Sequence, residues 1–217
     1  MHPSELSFEF KARYFKIGQL DSKTKAIWIV LHGYGQLAQF FLRNFSLLER
    51  HHICVIAPEG LSRFYLEDVQ SRAQSGNNRV GSTWMTKENR AMDVENYLTY
   101  LNALYTKEVG ASTLPVTILG FSQGVATASR WVLDRRVRFD RLILWAGILP
   151  PDMDFDSAKE ILAGKEILLV YGKQDPYLND DRFAEMKLLS EKLQINPQVI
   201  EFDGAHQMNE TVLSGLI

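Results

Sequence analysis

A serine flanked by glycines, in the segment Gly120-Phe121-Ser122-Gln123-Gly124, is the feature of this sequence best suited to chemistry. The apolar residues 116–119 precede it and predict a strand, and residues 123–136 follow with the pattern of a helix. A tight turn between a strand and a helix holds such a serine in a strained conformation, and side chains two positions away would collide with it. Glycine relieves that collision, and the helix directs N–H groups at the serine oxygen. The pattern therefore predicts that Ser122 is a nucleophile.

A nucleophilic serine needs a base, and the base needs an acid that orients it. Residues 166–171 and 198–202 predict two further strands, and Asp175 follows the first while His206 follows the second. Because the carboxyl ends of parallel strands meet at one edge of a sheet, both side chains are expected near Ser122. We predict His206 as the base and Asp175 as its acid.

Alternatives exist for both partners of the serine. Asp152 and Asp154 follow another predicted strand, and Asp203 lies only three residues before His206. Asp175 precedes a proline, and an Asp-Pro pair commonly starts a turn. His206 could instead be a loop histidine with a local hydrogen bond.

The oxyanion that forms in such chemistry needs two backbone N–H donors. Gln123, directly after the serine, is the first candidate, and Tyr34 in the glycine-rich turn His32-Gly33-Tyr34-Gly35 is the second. His32 is better placed to brace this turn than to transfer a proton. The turn could also be a plain connection between a strand and a helix.

The elements that would position these residues alternate along the chain. Alternation of strands with helices predicts an α/β fold, with a mostly parallel sheet of about seven strands and helices on both faces. Residues 58–86 are expected to be irregular. The predicted strands cover residues 7–17, 26–31, 53–57, 116–119, 142–145, 166–171 and 198–202, and the predicted helices cover 36–50, 87–107, 123–136, 157–163, 179–193 and 207–216.

Composition limits the remaining possibilities. The 217 residues are 46% hydrophobic with a net charge of −2, which predicts one globular domain over residues 1–217 and no nucleic-acid partner. The single cysteine, Cys54, predicts no disulfide within the chain. No leader or membrane span is apparent, which predicts a soluble cytoplasmic protein without integral membrane association. No metal-ligand spacing, phosphate-binding loop or dinucleotide fingerprint is present, so neither a metal nor a cofactor is expected.

Four segments together resemble the α/β-hydrolase superfamily, and more narrowly its phospholipase/carboxylesterase group, which includes acyl-protein thioesterases. The resemblance implies an α/β-hydrolase fold and a carboxylic-ester hydrolase without a cofactor, with Tyr34 and Gln123 as the oxyanion donors. The chain departs from the group at Gln36, where an acidic residue is common, and at residues 81–86. The segments are Leu31-His32-Gly33-Tyr34-Gly35, Gly120-Phe121-Ser122-Gln123-Gly124, Gly172-Lys173-Gln174-Asp175-Pro176 and Gly204-Ala205-His206.

The resulting hypothesis is a serine hydrolase that cleaves carboxylic esters or thioesters through a Ser-His-Asp triad and an acyl-enzyme. Trp84, Met85 and Tyr177 are the predicted substrate-binding residues, and the expected partner is a small-molecule ester. The alternatives are a non-catalytic protein that binds a small ligand on the same scaffold, and a serine peptidase of the same fold. The acyl group, the leaving group and the oligomeric state do not follow from the sequence.

Overall fold

A computed structural model describes residues 2 and 4–217 and contains a mixed sheet of seven strands. Its strand order is β1-β3-β2-β6-β7-β8-β9, in which β1 is antiparallel to β3 and the other neighbours are parallel. The prediction of a mostly parallel seven-stranded sheet is confirmed. The strands of this sheet are β1 (Tyr14–Ile17), β2 (Ala26–Leu31), β3 (Ile53–Pro58), β6 (Val116–Phe121), β7 (Arg141–Trp145), β8 (Glu166–Gly172) and β9 (Gln198–Phe202).

β2 and β3 are apolar throughout because both faces of the sheet are covered there. In β2, Ile27, Ile29 and Leu31 join one hydrophobic cluster, while Trp28 and Val30 join a second cluster on the opposite face. This alternation follows from the two-residue period of a strand. Helices accordingly cover both faces, as the sequence predicts.

The helices lie close to their predicted positions, with shifted ends. Predicted helix 36–50 is a short α-helix followed by a 3-10 helix, Leu42–His51, and the helix after Ser122 ends at Trp131 rather than 136. Among the described residues, no helix is long and apolar enough to cross a membrane. The α-helices are α1 (Ala38–Phe41), α2 (Val69–Ser75), α3 (Arg90–Glu108), α4 (Gln123–Trp131), α5 (Phe155–Leu162), α6 (Asp180–Leu193) and α7 (Glu210–Ser214).

The expected strand over residues 7–17 is shorter in the structure, since only Tyr14–Ile17 pair with the sheet. Their partners are residues 55–58, and β3 ends at Pro58, so none of the described residues before Tyr14 pairs with a strand. Phe8 and Phe10 consequently remain exposed. The alternating pattern alone was insufficient to extend the strand.

The expectation that residues 58–86 are irregular is wrong. β4 (Ser62–Tyr65) and β5 (Val80–Thr83) form an antiparallel pair, and α2 lies between them. Asp68 caps α2 by accepting a hydrogen bond from Ser71 N, and Gly76 ends the helix in a left-handed conformation. These short elements are held by each other and by the loop after β2, a tertiary contact that no local pattern reveals.

Candidate active site

Ser122 occupies a strained turn between β6 and α4. Its φ of 54° and ψ of −116° lie outside the conformations that residues other than glycine favour. Its backbone N–H donates to the carbonyl of Trp145 at 2.9 Å, which ties the turn to the end of β7. The strained serine predicted from the sequence is therefore present at the carboxyl edge of the sheet.

The two glycines of the turn are required by close backbone contacts. A Cβ on Gly120 would lie 2.3 Å from the carbonyl oxygen of Gly124, and a Cβ on Gly124 would lie 2.2 Å from that of Leu31. Real Cβ atoms do not approach this closely. The glycines thus allow α4 to start directly against β2 and β6.

Asp175 and His206 are joined by a hydrogen bond of 2.8 Å between Asp175 Oδ2 and His206 Nδ1. The Asp175 side chain is fully buried, and its other oxygen accepts from the N–H of Tyr177 at 2.9 Å. An ionised carboxylate can only accept, so this contact assigns the proton to Nδ1 and leaves Nε2 as the basic nitrogen. Asp175 also belongs to a turn, as its position before a proline predicts.

Close packing of two loops brings these residues together. Gly172 ends β8 so near the loop after β9 that a Cβ there would lie 2.2 Å from the carbonyl oxygen of Gly204. Gln174 N–H donates to the same carbonyl at 2.9 Å. The loop that carries Asp175 and the loop that carries His206 therefore form one unit.

His206 lies beside the serine turn. Its ring centroid is 5.1 Å from that of Phe121, the residue before Ser122, and 4.7 Å from that of Tyr177. Among the described residues, the Ser122 hydroxyl makes no hydrogen bond to His206. The structure thus joins Asp175 to His206 and places His206 against the neighbour of the serine.

The rival aspartates have other partners. Asp152 pairs with Arg130 at 2.5 Å, and Asp154 caps α5 by accepting from Ser157 N. Asp203 has a largely exposed side chain that lies 3.5 Å from the ammonium group of Lys173. Asp175 is the acid that contacts His206.

The turn after β2 is braced by His32, whose side chain is completely buried. The N–H of Gly60 donates to His32 Nε2 at 3.0 Å, which leaves Nδ1 to donate to the carbonyl of Gly33 at 2.7 Å. Burial lowers the pKa of His32 to about 4, so the ring is neutral at physiological pH. A histidine with both nitrogens engaged and so low a pKa fits the bracing role expected of it.

This brace also sets the direction of the Tyr34 N–H. The Gly33 carbonyl and the Tyr34 N–H belong to one planar peptide unit and point in opposite directions. Because His32 holds the carbonyl, the N–H is directed away from His32. A Cβ on Gly33 would lie 3.2 Å from Ser122 Cβ, so the turn passes directly beside the serine. No described residue accepts a hydrogen bond from the N–H of Tyr34 or of Gln123.

The three residues predicted to bind substrate differ in exposure. Tyr177 is 68% exposed beside His206, and Met85 is half-buried. Trp84 is only 2% exposed, and its indole N–H donates to the carbonyl of His32 at 2.9 Å. Contact between Trp84 and a substrate would require the indole to become exposed.

Sequence reasoning did not identify two glutamine side chains near the serine. Gln36 Oε1 accepts from the N–H of Gly33 at 2.8 Å, which fixes the turn from its other side. Gln123 has its side-chain amide bonded to residues 83–85. The only signal for either was the glutamine at position 36 where the resembling group commonly carries an acid.

Within residues 2 and 4–217, no three His, Cys, Asp or Glu side chains are grouped closely enough to hold a metal ion.

The strand order, the helices on both faces and the glycine-flanked turn after β6 are those of an α/β hydrolase. The chain belongs to the phospholipase/carboxylesterase family, whose profile matches residues 12–215. It is therefore an esterase-type hydrolase.

Comparison with solved structures agrees on the fold. Acyl-protein thioesterase 2 of Zea mays superposes with a TM-score of 0.70 at 16% identity, over 95% of this chain and 96% of that one. Esterase PE8 superposes with a TM-score of 0.66 at 17% identity, over 95% of this chain and 96% of that one. A Bacillus cereus carboxylesterase superposes with a TM-score of 0.66 at 17% identity, over 94% of this chain and 91% of that one. The comparison with curated proteins found no match.

Proposed function

We propose that this protein hydrolyses carboxylic esters or thioesters through an acyl-enzyme on Ser122. The observation that carries the proposal is the 2.8 Å contact between buried Asp175 and His206, made beside a strained serine turn. A carboxylate that fixes the histidine tautomer leaves its other nitrogen free to take a proton from a hydroxyl.

In the proposed first step, His206 Nε2 takes the proton of Ser122 Oγ while the oxygen attacks the substrate carbonyl carbon. The carbonyl oxygen becomes an anion, which the N–H groups of Tyr34 and Gln123 stabilise. As the C–O or C–S bond breaks, His206 gives its proton to the leaving alcohol or thiol. Water then repeats these steps on the acyl-enzyme and releases the acid.

Asp175 holds the ring in place and stabilises its positive form during each transfer. Its side chain is fully buried, so water does not screen this interaction. The start of α4 at Gln123 adds a favourable helix dipole at the developing negative charge.

Two exposed or half-exposed side chains, Met85 and Tyr177, support a substrate site with apolar walls. Tyr177 contacts His206, and Met85 is bonded through its carbonyl to Gln123. Such walls favour an apolar acyl chain or an aromatic ester over a charged one. The Zea mays neighbour is named a thioesterase, which makes a thioester worth testing beside oxygen esters.

A fluorophosphonate probe tests the proposed nucleophile. The wild-type protein should be labelled at Ser122 and should hydrolyse activated esters of graded acyl length, and Ser122→Ala should lose both properties. Ser129→Ala is the matched control, because Ser129 is a buried α4 serine whose hydroxyl bonds to none of the described residues, and its loss should leave labelling unchanged. Folded wild-type protein that ignores both the probe and the esters would refute the proposal.

We also propose that residues 1–217 form one domain and that the protein is cytoplasmic. A single unfolding transition, with the same midpoint by tryptophan fluorescence and by circular dichroism, would support the single domain. Cell fractionation would check the second.

A further inference from the structure

The side-chain amide of Gln123 is bonded to three consecutive residues at the end of β5. Its Nε2 donates to Thr83 Oγ1 and to the Met85 carbonyl, both at 2.9 Å, and its Oε1 accepts from the N–H of Trp84 at 3.1 Å. Every polar atom of this amide therefore has a partner in residues 83–85, which we call the β5 exit segment.

The orientation of the amide is fixed by these partners. If it were flipped, the oxygen would face the Met85 carbonyl and the nitrogen would face the Trp84 N–H, so that like groups would meet at both ends. Thr83 and Trp84 are only 3% and 2% exposed, so water cannot replace the lost partners. The contact is thus specific for an amide at position 123.

A second residue of α4 reinforces the same contact. Arg130 Nη1 lies 3.6 Å from the Met85 sulfur, and its other nitrogen pairs with Asp152 at 2.5 Å. Gln123 and Arg130 are seven residues apart, two turns of a helix, and therefore lie on the same face of α4. Gln123 holds the Thr83 hydroxyl, the Trp84 N–H and the Met85 carbonyl of the β5 exit segment, and Arg130 contacts the Met85 sulfur on the same face.

We propose that Gln123 is a positioning residue, whose side chain locks the β5 exit segment onto α4 and thereby sets both an oxyanion donor and a wall of the substrate site. This inference rests on the proposed function, in which the Gln123 N–H binds the oxyanion and Met85 contacts substrate. Because one residue carries both the donor and the amide, a movement of the segment is transmitted directly to the donor. The same contact ties the β4–β5 pair to the serine turn.

Gln123→Met tests the lock, since methionine has a similar length and keeps the backbone N–H but makes none of the three bonds. We expect kcat per labelled serine to fall about 10- to 100-fold, the cost of misplacing a catalytic group by about 1 Å. KM should rise most for the longest acyl chains, because Met85 is released. Amide exchange at Trp84 should become at least about tenfold faster, because its N–H loses its acceptor.

Thr83 gives an independent variant on the other side of the contact. Thr83→Val removes the hydroxyl at nearly constant volume and should reproduce part of each effect, while Thr83→Ser should restore wild-type values. The double variant Gln123→Met with Thr83→Val should be little worse than Gln123→Met alone, because both break one unit. These variants keep the test available if Gln123→Met fails to fold.

Asn102→Leu is the matched control. Asn102 is also a buried amide with two partners, Trp131 Nε1 at 3.0 Å and Asp134 Oδ2 at 2.8 Å, but it acts at the far end of α4. It should lower the melting temperature and leave kcat, KM and Trp84 exchange unchanged.

Two failures can be told apart. A wild-type protein that neither reacts with the probe nor cleaves esters refutes the proposed function. If the wild type is active, but Gln123→Met and Thr83→Val keep kcat, KM and Trp84 exchange within twofold of it, the positioning role is overturned. The role is equally overturned if exchange accelerates while kcat and KM stay unchanged, or if Asn102→Leu alters the same three quantities.

Discussion

Acidification should destabilise this protein through His32, whose ring is completely buried beside the serine turn. Burial holds the pKa of His32 at about 4 in the folded state, against 6.5 for an exposed histidine, although the Gly33 carbonyl and the Glu59 carboxylate nearby favour the proton. Between these two values the unfolded chain binds a proton that the folded protein does not. The free energy of unfolding must therefore fall as the pH falls below 6.5, and the loss is complete near pH 4.

The size of this effect follows from the pKa difference. The interval between 6.5 and about 4 corresponds to about 3 kcal/mol of unfolding free energy, at about 1.4 kcal/mol per pH unit. That is a large fraction of the roughly 5–15 kcal/mol that stabilises an ordinary domain. A single histidine should thus account for a substantial loss of unfolding free energy between pH 6.5 and pH 4.

The assay compares the wild type with His32→Gln, which does not titrate and whose amide can still accept from the Gly60 N–H. Urea unfolding at half-unit steps from pH 7 to pH 4 gives the free energy of unfolding of each protein. Other histidines and carboxylates are common to both proteins and cancel in the difference. The wild type should lose stability relative to the variant by about 3 kcal/mol over this range.

If the unfolding free energies of the wild type and His32→Gln changed with pH in parallel, the predicted role of His32 would be refuted. A difference that changes by less than about 0.5 kcal/mol between pH 7 and pH 4 would mean that folded His32 takes up its proton as readily as the unfolded chain does. The assignment of a neutral, bracing ring to His32 would then be wrong.

Asp175→Asn should lower kcat by up to about 10⁴-fold, because an amide no longer fixes the required tautomer of His206. Probe labelling measured over hours should still reach Ser122. A kcat within tenfold of the wild-type value would contradict this role for Asp175. Gly124→Ala should destabilise the fold by about 3 kcal/mol or more, since the alanine Cβ would lie 2.2 Å from the Leu31 carbonyl oxygen. An unchanged midpoint of urea unfolding would count against that clash. Gln36→Glu keeps an acceptor for the Gly33 N–H but adds a negative charge near the oxyanion, so kcat at pH 7 should fall about tenfold. Equal kcat values for the variant and the wild type would show that solvent screens the charge.

Much of the fold was predictable because its strongest signals are local. The central strands are mostly apolar runs, and the residues after them fall at the same edge of any parallel sheet. The pairing of Asp175 with His206 follows from that rule together with the chain order. The glycines around Ser122 could be interpreted in advance because the strand-turn-helix pattern is local. The contact that requires Gly124 is nevertheless made with Leu31 of β2, outside the turn.

The remaining features depend on contacts between distant segments. The β4–β5 pair is short, and two backbone bonds that span about 46 residues help to stabilise it. The N–H of Ser82 donates to the Gln36 carbonyl, and the Ser82 carbonyl accepts from the N–H of Gly35. Trp84 is buried in the core, where its indole N–H donates to the His32 carbonyl, 52 residues away along the chain. The amide of Gln123 is likewise satisfied by residues 38 to 40 positions distant. A sequence pattern shows that such side chains are polar or aromatic, but not which partner they meet.

The backbone conformation of Ser122 has a consequence for attempts to improve this protein. At φ 54° and ψ −116° a serine is strained by about 1–3 kcal/mol, whereas glycine tolerates positive φ. Ser122→Gly should therefore raise the melting temperature while it removes the proposed nucleophile. A laboratory selection that rewards heat resistance alone would favour that inactive glycine, so rounds of selection for stability need to alternate with selection for turnover.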